Sequence, residues 1–81
     1  MPARRVLIVD DNELNLRLAE TILTHAGFAI TLARTAGEAR GELARGTWDA
    51  LLIDLRLPDG DGMGIVRRFR DSAITKPLEV R

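Results

Sequence analysis

The sequence predicts a small α/β domain built on a parallel sheet, and three observations carry that prediction. Residues 6–9 read Val, Leu, Ile, Val and residues 51–53 read Leu, Leu, Ile. Strands with no polar residue on either face belong in a sheet covered on both sides. Helix signals separate the strand signals, and such alternation folds as a parallel sheet with right-handed crossovers. Both runs also end in acid, Asp10 and Asp11 after the first and Asp54 after the second.

The elements follow in order. Residues 5–10 form the first strand. Asp11 and Asn12 suit a helix cap, and residues 13–26 carry Leu14, Leu18 and Ile22 at helical spacing. Gly27 ends that helix in the left-handed position. Residues 28–33 form the second strand. Thr35, Ala36, Gly37 and Glu38 have the form of a capping box, opening a helix to Arg45 that Gly46 terminates. Residues 48–54 form the third strand. Residues 55–61 form a loop in which Pro58 and Gly60, with Gly62 just beyond, supply turn chemistry. A third helix, about residues 62–70, buries Ile65, Val66 and Phe69.

In open sheets of this kind, sites lie at the carboxyl ends of strands where the strand order switches. With the first strand central, the second on one side and the third on the other, Asp10, Asp11 and Asp54 converge at one edge. Carboxylates do not cluster for stability, because like charges at close range cost energy. A cation relieves the repulsion, and a hard oxygen-rich site favours Mg²⁺ or a similar ion. The plainer reading of Asp10 and Asp11 as helix caps explains one acid better than two with a third opposite. Asp61-Gly62 reads as a turn and helix start, and Trp48 as packing. His25 suits a helix C-terminus, and Arg67, Arg68 and Arg70 form a solvated helix face.

Composition narrows the function classes. Length bounds the chain to one small domain, and 46% hydrophobic with 30% charged residues places it among globular proteins. Twelve basic and twelve acidic residues cancel, so bulk charge directs it neither to nucleic acid nor to a membrane surface. The absence of cysteine excludes thiolate metal sites and a cysteine nucleophile, and fits a cytoplasmic protein. No apolar stretch reaches the length of a membrane span, and the N-terminus lacks the apolar core of a secretion signal.

The residues Val-Leu-Ile-Val-Asp-Asp-Asn-Glu, followed by Asp-Ala-Leu-Leu-Ile-Asp-Leu-Arg-Leu-Pro-Asp-Gly-Asp-Gly, resemble a response-regulator receiver domain of two-component signalling. The Asp-Asp-Asn-Glu-Leu-Asn form at residues 10–15 is similar to receivers attached to hybrid histidine kinases. The resemblance implies a flavodoxin-like doubly wound parallel sheet, here shortened to about three strands in the order 2-1-3 plus a C-terminal segment. It implies that Asp54 is the phosphoacceptor, taking a phosphoryl group from a histidine kinase or phosphotransfer protein. It implies that Asp10 and Asp11 hold Mg²⁺ beside Asp54, with the backbone carbonyl of Arg56 completing the protein ligands.

Residues 1–81 are expected to form one receiver-like domain, with residues 1–71 its βαβαβα core and 72–81 a tail. The tail admits two readings. In one, Ile74-Thr75-Lys76-Pro77-Leu78 resembles the end of the family's fifth strand, and Lys76 contacts the phosphoryl group, often across a cis bond to the proline. In the other, Lys76 is a surface residue preceding a fourth strand. The family's switch Ser or Thr has no assigned position. The third strand would then present an unpaired apolar edge, expected to be covered by the tail, by a second copy in a homodimer, or by residues beyond the chain. A phosphorylation-independent pseudo-receiver, acting as an interaction or dimerisation module, is the competing function. A dehalogenase-type phosphohydrolase would place an acid where Arg56 stands, and a nucleotide-binding module would place a Gly-rich loop after the first strand.

Overall fold

The computed structural model describes residues 3–72. Three strands, β1 (Arg5–Val9), β2 (Ala29–Ala33) and β3 (Ala50–Ile53), form a parallel sheet in the order β2-β1-β3. The helices α1 (Glu13–His25), α2 (Ala36–Ala44) and α3 (Gly62–Ser72) connect or follow them. The α/β class, the parallel pairing and the central position of the first strand are as the sequence predicts. Lys76 and the rest of residues 73–81, on which both readings of the tail depend, lie outside the described residues. Ser72, assigned to that tail, is the last residue of α3.

Both faces of β1 are buried from Val6 to Val9, which is why those four residues are all apolar; Arg5, at the strand's exposed start, is its one polar residue. Leu7 and Val9 face a cluster that includes Ala39 and Leu43 of α2 and Ile65, Val66 and Phe69 of α3. Val6 and Ile8 face Leu16 of α1, with Ala19, Leu23 and Leu52 beside it. The stripe that marks α1 as a helix is not the one it buries. Leu14, Leu18 and Ile22 are 67%, 54% and 66% exposed, while Leu16 is 0% exposed. Leu16, Ala19 and Leu23 form a second apolar row with helical spacing. The phase is set where the helix enters, at Asn12, whose side chain accepts from the Asn15 N–H.

Gly27 takes φ 96° and closes α1 as expected. Gly46 does not play that part for α2. The helix stops at Ala44, and its cap Arg45 keeps a right-handed conformation. A Cβ at position 46 would come 2.8 Å from Arg5 Nη1. The glycine thus makes room for Arg5, whose guanidinium lies 4.3 Å from the centre of the Trp48 ring. Trp48 is buried, and its indole N–H donates to the Glu42 carbonyl.

Residues 55–61, expected as plain loop, contain a small antiparallel hairpin of β4 (Arg56–Leu57) and β5 (Gly60–Asp61). Pro58 and Asp59 form its turn, and buried Leu57 anchors it to the core. Among the described residues, β3 pairs with β1 alone, so its outer edge has no strand partner there.

Candidate functional site

Backbone pairing brings the acids together. The Asp10 N–H donates to the Ala33 carbonyl at 3.0 Å, and the Asp54 N–H donates to the Val9 carbonyl at 2.9 Å. Each aspartate is therefore the residue at which a ladder of the sheet ends, and adjacent ladders end side by side. One carboxylate oxygen from each of Asp10, Asp11 and Asp54 lies within 4.8 Å of the others. Asp10 is buried, Asp54 half-buried and Asp11 exposed.

The surrounding hydrogen bonds fix two of the three. Asp10 Oδ1 accepts from the Asn12 N–H at 3.0 Å, and Oδ2 accepts from Asn15 Nδ2 at 3.2 Å. Asp54 Oδ1 accepts from the Arg56 N–H at 2.9 Å, which folds the chain back beside the carboxylate. Asn12 caps α1, so Asp10 is not needed for that task. Positive charge nearby is weakly engaged. Arg56 Nε stands 4.0 Å from Asp54 Oδ1 with its side chain 95% exposed, a pair of little energetic weight. Arg34 and Arg17 both pair with Glu13, and the Arg34 hydrogen bond holds the Glu13 carboxyl below its usual range.

The donor set suits a hard divalent cation. Octahedral Mg²⁺ at about 2.1 Å from each ligand places ligand oxygens roughly 3 to 4.2 Å apart. The three carboxylate oxygens lie within 4.8 Å of one another, close to that range. Each carboxylate oxygen has a second lone pair beyond the bonds described. Asp10 gives the arrangement a rigid floor, and Asp11 leaves its outer side open to water.

The model of the response regulator receiver domain matches residues 6–80. The chain belongs to this family. It is 37% identical over 76 residues to the virulence transcriptional regulatory protein PhoP of Salmonella typhimurium, covering 94% of the chain and 34% of PhoP. It is 37% identical over 69 residues to the aerobic respiration control sensor protein ArcB of Escherichia coli, covering 85% of the chain and 9% of ArcB. A CheY-like receiver domain protein from Methanospirillum hungatei superposes with a TM-score of 0.90 at 26% identity, covering 98% of this chain and 63% of that one. The chain thus spans about a third or less of these curated relatives. Receiver domains are signalling modules and not enzymes of the ordinary kind, and the flavodoxin-like class expected from the sequence holds.

Asn15 is a site contact that the sequence pattern did not single out. Its signal was a polar residue in the first turn of α1, beside the inward-facing Leu16. Gly62 is the other. A Cβ there would lie 2.7 Å from the Leu55 Cα and 3.0 Å from its carbonyl oxygen. Neither is a flexible side chain, so the backbone following Asp54 must move. Gly62→Ala is expected to cost about 1–3 kcal/mol in urea unfolding. Gly64→Ala, two residues along α3 with nothing within 4 Å of the added methyl, is expected to be neutral or stabilising by up to about 1 kcal/mol. Equal midpoints for the two variants would contradict the tight closure at Gly62.

Proposed function

We propose that this chain is the phosphoacceptor receiver of a two-component phosphorelay. The observation that carries the reading is the convergence of Asp10, Asp11 and Asp54 within 4.8 Å at the carboxyl edge of the sheet. The partner is a histidine kinase or a phosphotransfer protein carrying phosphohistidine. An Asp54 oxygen attacks phosphorus, the P–N bond breaks, and the imidazole leaves with its electron pair and takes a proton. Transfer of this kind requires in-line positioning and neutralised oxygens more than covalent assistance. Bound Mg²⁺ would supply that neutralisation, held by Asp10, Asp11, Asp54 and the Arg56 carbonyl. The Arg56 N–H orients Asp54 by occupying one lone pair of Oδ1. Asn12 and Asn15 fix Asp10 from the protein side. The site assists transfer and hydrolysis at Asp54, and catalyses no other reaction. Lys76 is assigned a phosphoryl contact on the resemblance alone. The unit takes in residues 1–81 as one cytoplasmic domain that contacts no nucleic acid; no helix of the described residues is long and apolar enough to cross a membrane.

Incubation with acetyl phosphate and Mg²⁺ is expected to add one phosphoryl group by intact mass, in a hydroxylamine-labile linkage, and chelation of Mg²⁺ is expected to prevent it. No mass gain with Mg²⁺ present would sink the reading. The unpartnered outer edge of β3 among the described residues favours one second reading, a phosphorylation-independent interaction module or homodimer. A protein that takes no label yet sediments as a dimer would select it.

A further inference from the structure

We propose that Asp59 is a positioning residue for the metal site, fastening the hairpin that follows Asp54 to the start of α2; the proposal rests on the receiver reading above. Asp59 sits at the turn of the 56–61 hairpin, and its partners lie 23 and 22 residues away in sequence. Its Oδ1 accepts from the Ala36 N–H at 2.7 Å, and its Oδ2 accepts from the Gly37 N–H at 3.1 Å. These are the first two N–H groups of α2, which have no partner inside the helix. The helix's own cap, Thr35, serves a different one, accepting from the Glu38 N–H at 3.0 Å. The N-terminus of α2 is thus satisfied by two side chains, and only one of them comes from its own segment.

The division of labour matters because of what lies at the other end of the hairpin. At its base, the Arg56 N–H orients Asp54, and Arg56 also carries the carbonyl assigned to Mg²⁺. Gly62 closes that base against Leu55. At its tip, Gly60 lies so near the helix that a Cβ would come 3.1 Å from the Ala36 Cβ. The hairpin is therefore pinned at two places, and Asp59 is the polar pin. The two backbone bonds hold the Asp59 carboxyl below its usual range, so it remains an anion at neutral pH, the charge a helix N-terminus favours. Because the folded value is lowered, this contribution is present above the ordinary carboxylate range and fades only as pH falls through the lowered value. Without the pin, packing alone holds the hairpin to α2, and Arg56 at its base is held less firmly beside Asp54.

The test compares wild type, Asp59→Ala, Asp59→Asn and Thr35→Ala by calorimetric titration with Mg²⁺ at neutral pH, with unfolding by urea alongside. Asp59→Ala is expected to weaken Mg²⁺ binding about 10-fold, in the range seen when a group supporting metal ligands is removed. Asp59→Asn keeps one acceptor oxygen and is expected to recover part of that loss. Thr35→Ala removes the other cap of the same helix, and is expected to lower the urea midpoint while leaving Mg²⁺ affinity unchanged. If Asp59→Ala and Asp59→Asn both bind Mg²⁺ as wild type does, Asp59 is a helix cap only and the proposal is overturned. It is overturned equally if Thr35→Ala weakens Mg²⁺ binding as much as the Asp59 variants do. A wild type that binds no Mg²⁺ overturns the receiver reading together with this proposal, which separates the two failures. Should Asp59→Ala not fold, the comparison of Asp59→Asn with Thr35→Ala decides alone.

Discussion

Asp54→Asn is expected to abolish phosphoryl transfer from acetyl phosphate completely, with no residual labelling elsewhere in the chain. The substitution keeps the shape of the side chain and its bond from the Arg56 N–H, and removes the nucleophilic charge. It also removes one of three negative charges that lie within 4.8 Å. Two unit charges about 4 Å apart repel by about 4 kcal/mol at an effective dielectric of about 20, and by about 1 kcal/mol in water. Asp54 is half-buried and Asp11 exposed, so the lower figure is the better guide. The charge on Asp54 faces two others, Asp10 and Asp11, so in chelator the Asn variant is expected to be more stable than wild type by about 1–2 kcal/mol. With Mg²⁺ at about 100 times its Kd, wild type gains about 2.7 kcal/mol by linkage, and the variant gains less. The order of the urea midpoints thus reverses when the cation is added. A variant that still accepts a phosphoryl group would remove Asp54 from the nucleophile's role, and an order that never reverses would remove it from the cation site.

The acids were legible in the sequence for a physical reason. A strand covered on both faces tolerates no charge along its length, so the first aspartate after an apolar run marks where the sheet ends. Asp10 and Asp54 both stand at such points, and parallel pairing does the rest. What supports those acids was not legible. Asp59 bonds to Ala36 and Gly37 across 23 and 22 residues, and no local pattern encodes a partner at that separation. Gly62 looked like an ordinary turn residue because the sequence cannot show how near the Leu55 backbone comes. In α1, spacing identified a helix but not its rotation, since Leu14, Leu18 and Ile22 and the row of Leu16, Ala19 and Leu23 both satisfy it. The sheet chose the second row because the Asn12 cap fixes where the first turn begins.

Phe69→Ala is expected to unfold most of the protein. Phe69 is 1% exposed and is among the largest side chains wholly withdrawn from water. It belongs to the cluster that joins α3 to Leu7, Val9, Leu51 and Ile53 of the sheet. Truncating a buried Phe to Ala costs about 3–5 kcal/mol, the lost transfer energy plus the cavity left behind. A domain of 81 residues has roughly 4–12 kcal/mol in total, and small single cores sit near the lower end. The loss therefore approaches the whole stability. Phe69→Leu keeps much of the volume and is expected to cost about 1.5 kcal/mol or less. Circular dichroism through a urea titration distinguishes these outcomes. The functional consequence follows from chain order: α3 begins at Gly62, where the loop after Asp54 closes. As urea is raised, the Phe69→Leu protein, with its α3 held less tightly, is then expected to lose Mg²⁺ affinity before it loses the sheet. A Phe69→Ala protein with wild-type stability would mean that α3 does not bear on the sheet in solution, and that the loop carrying Arg56 is held from the α2 side alone.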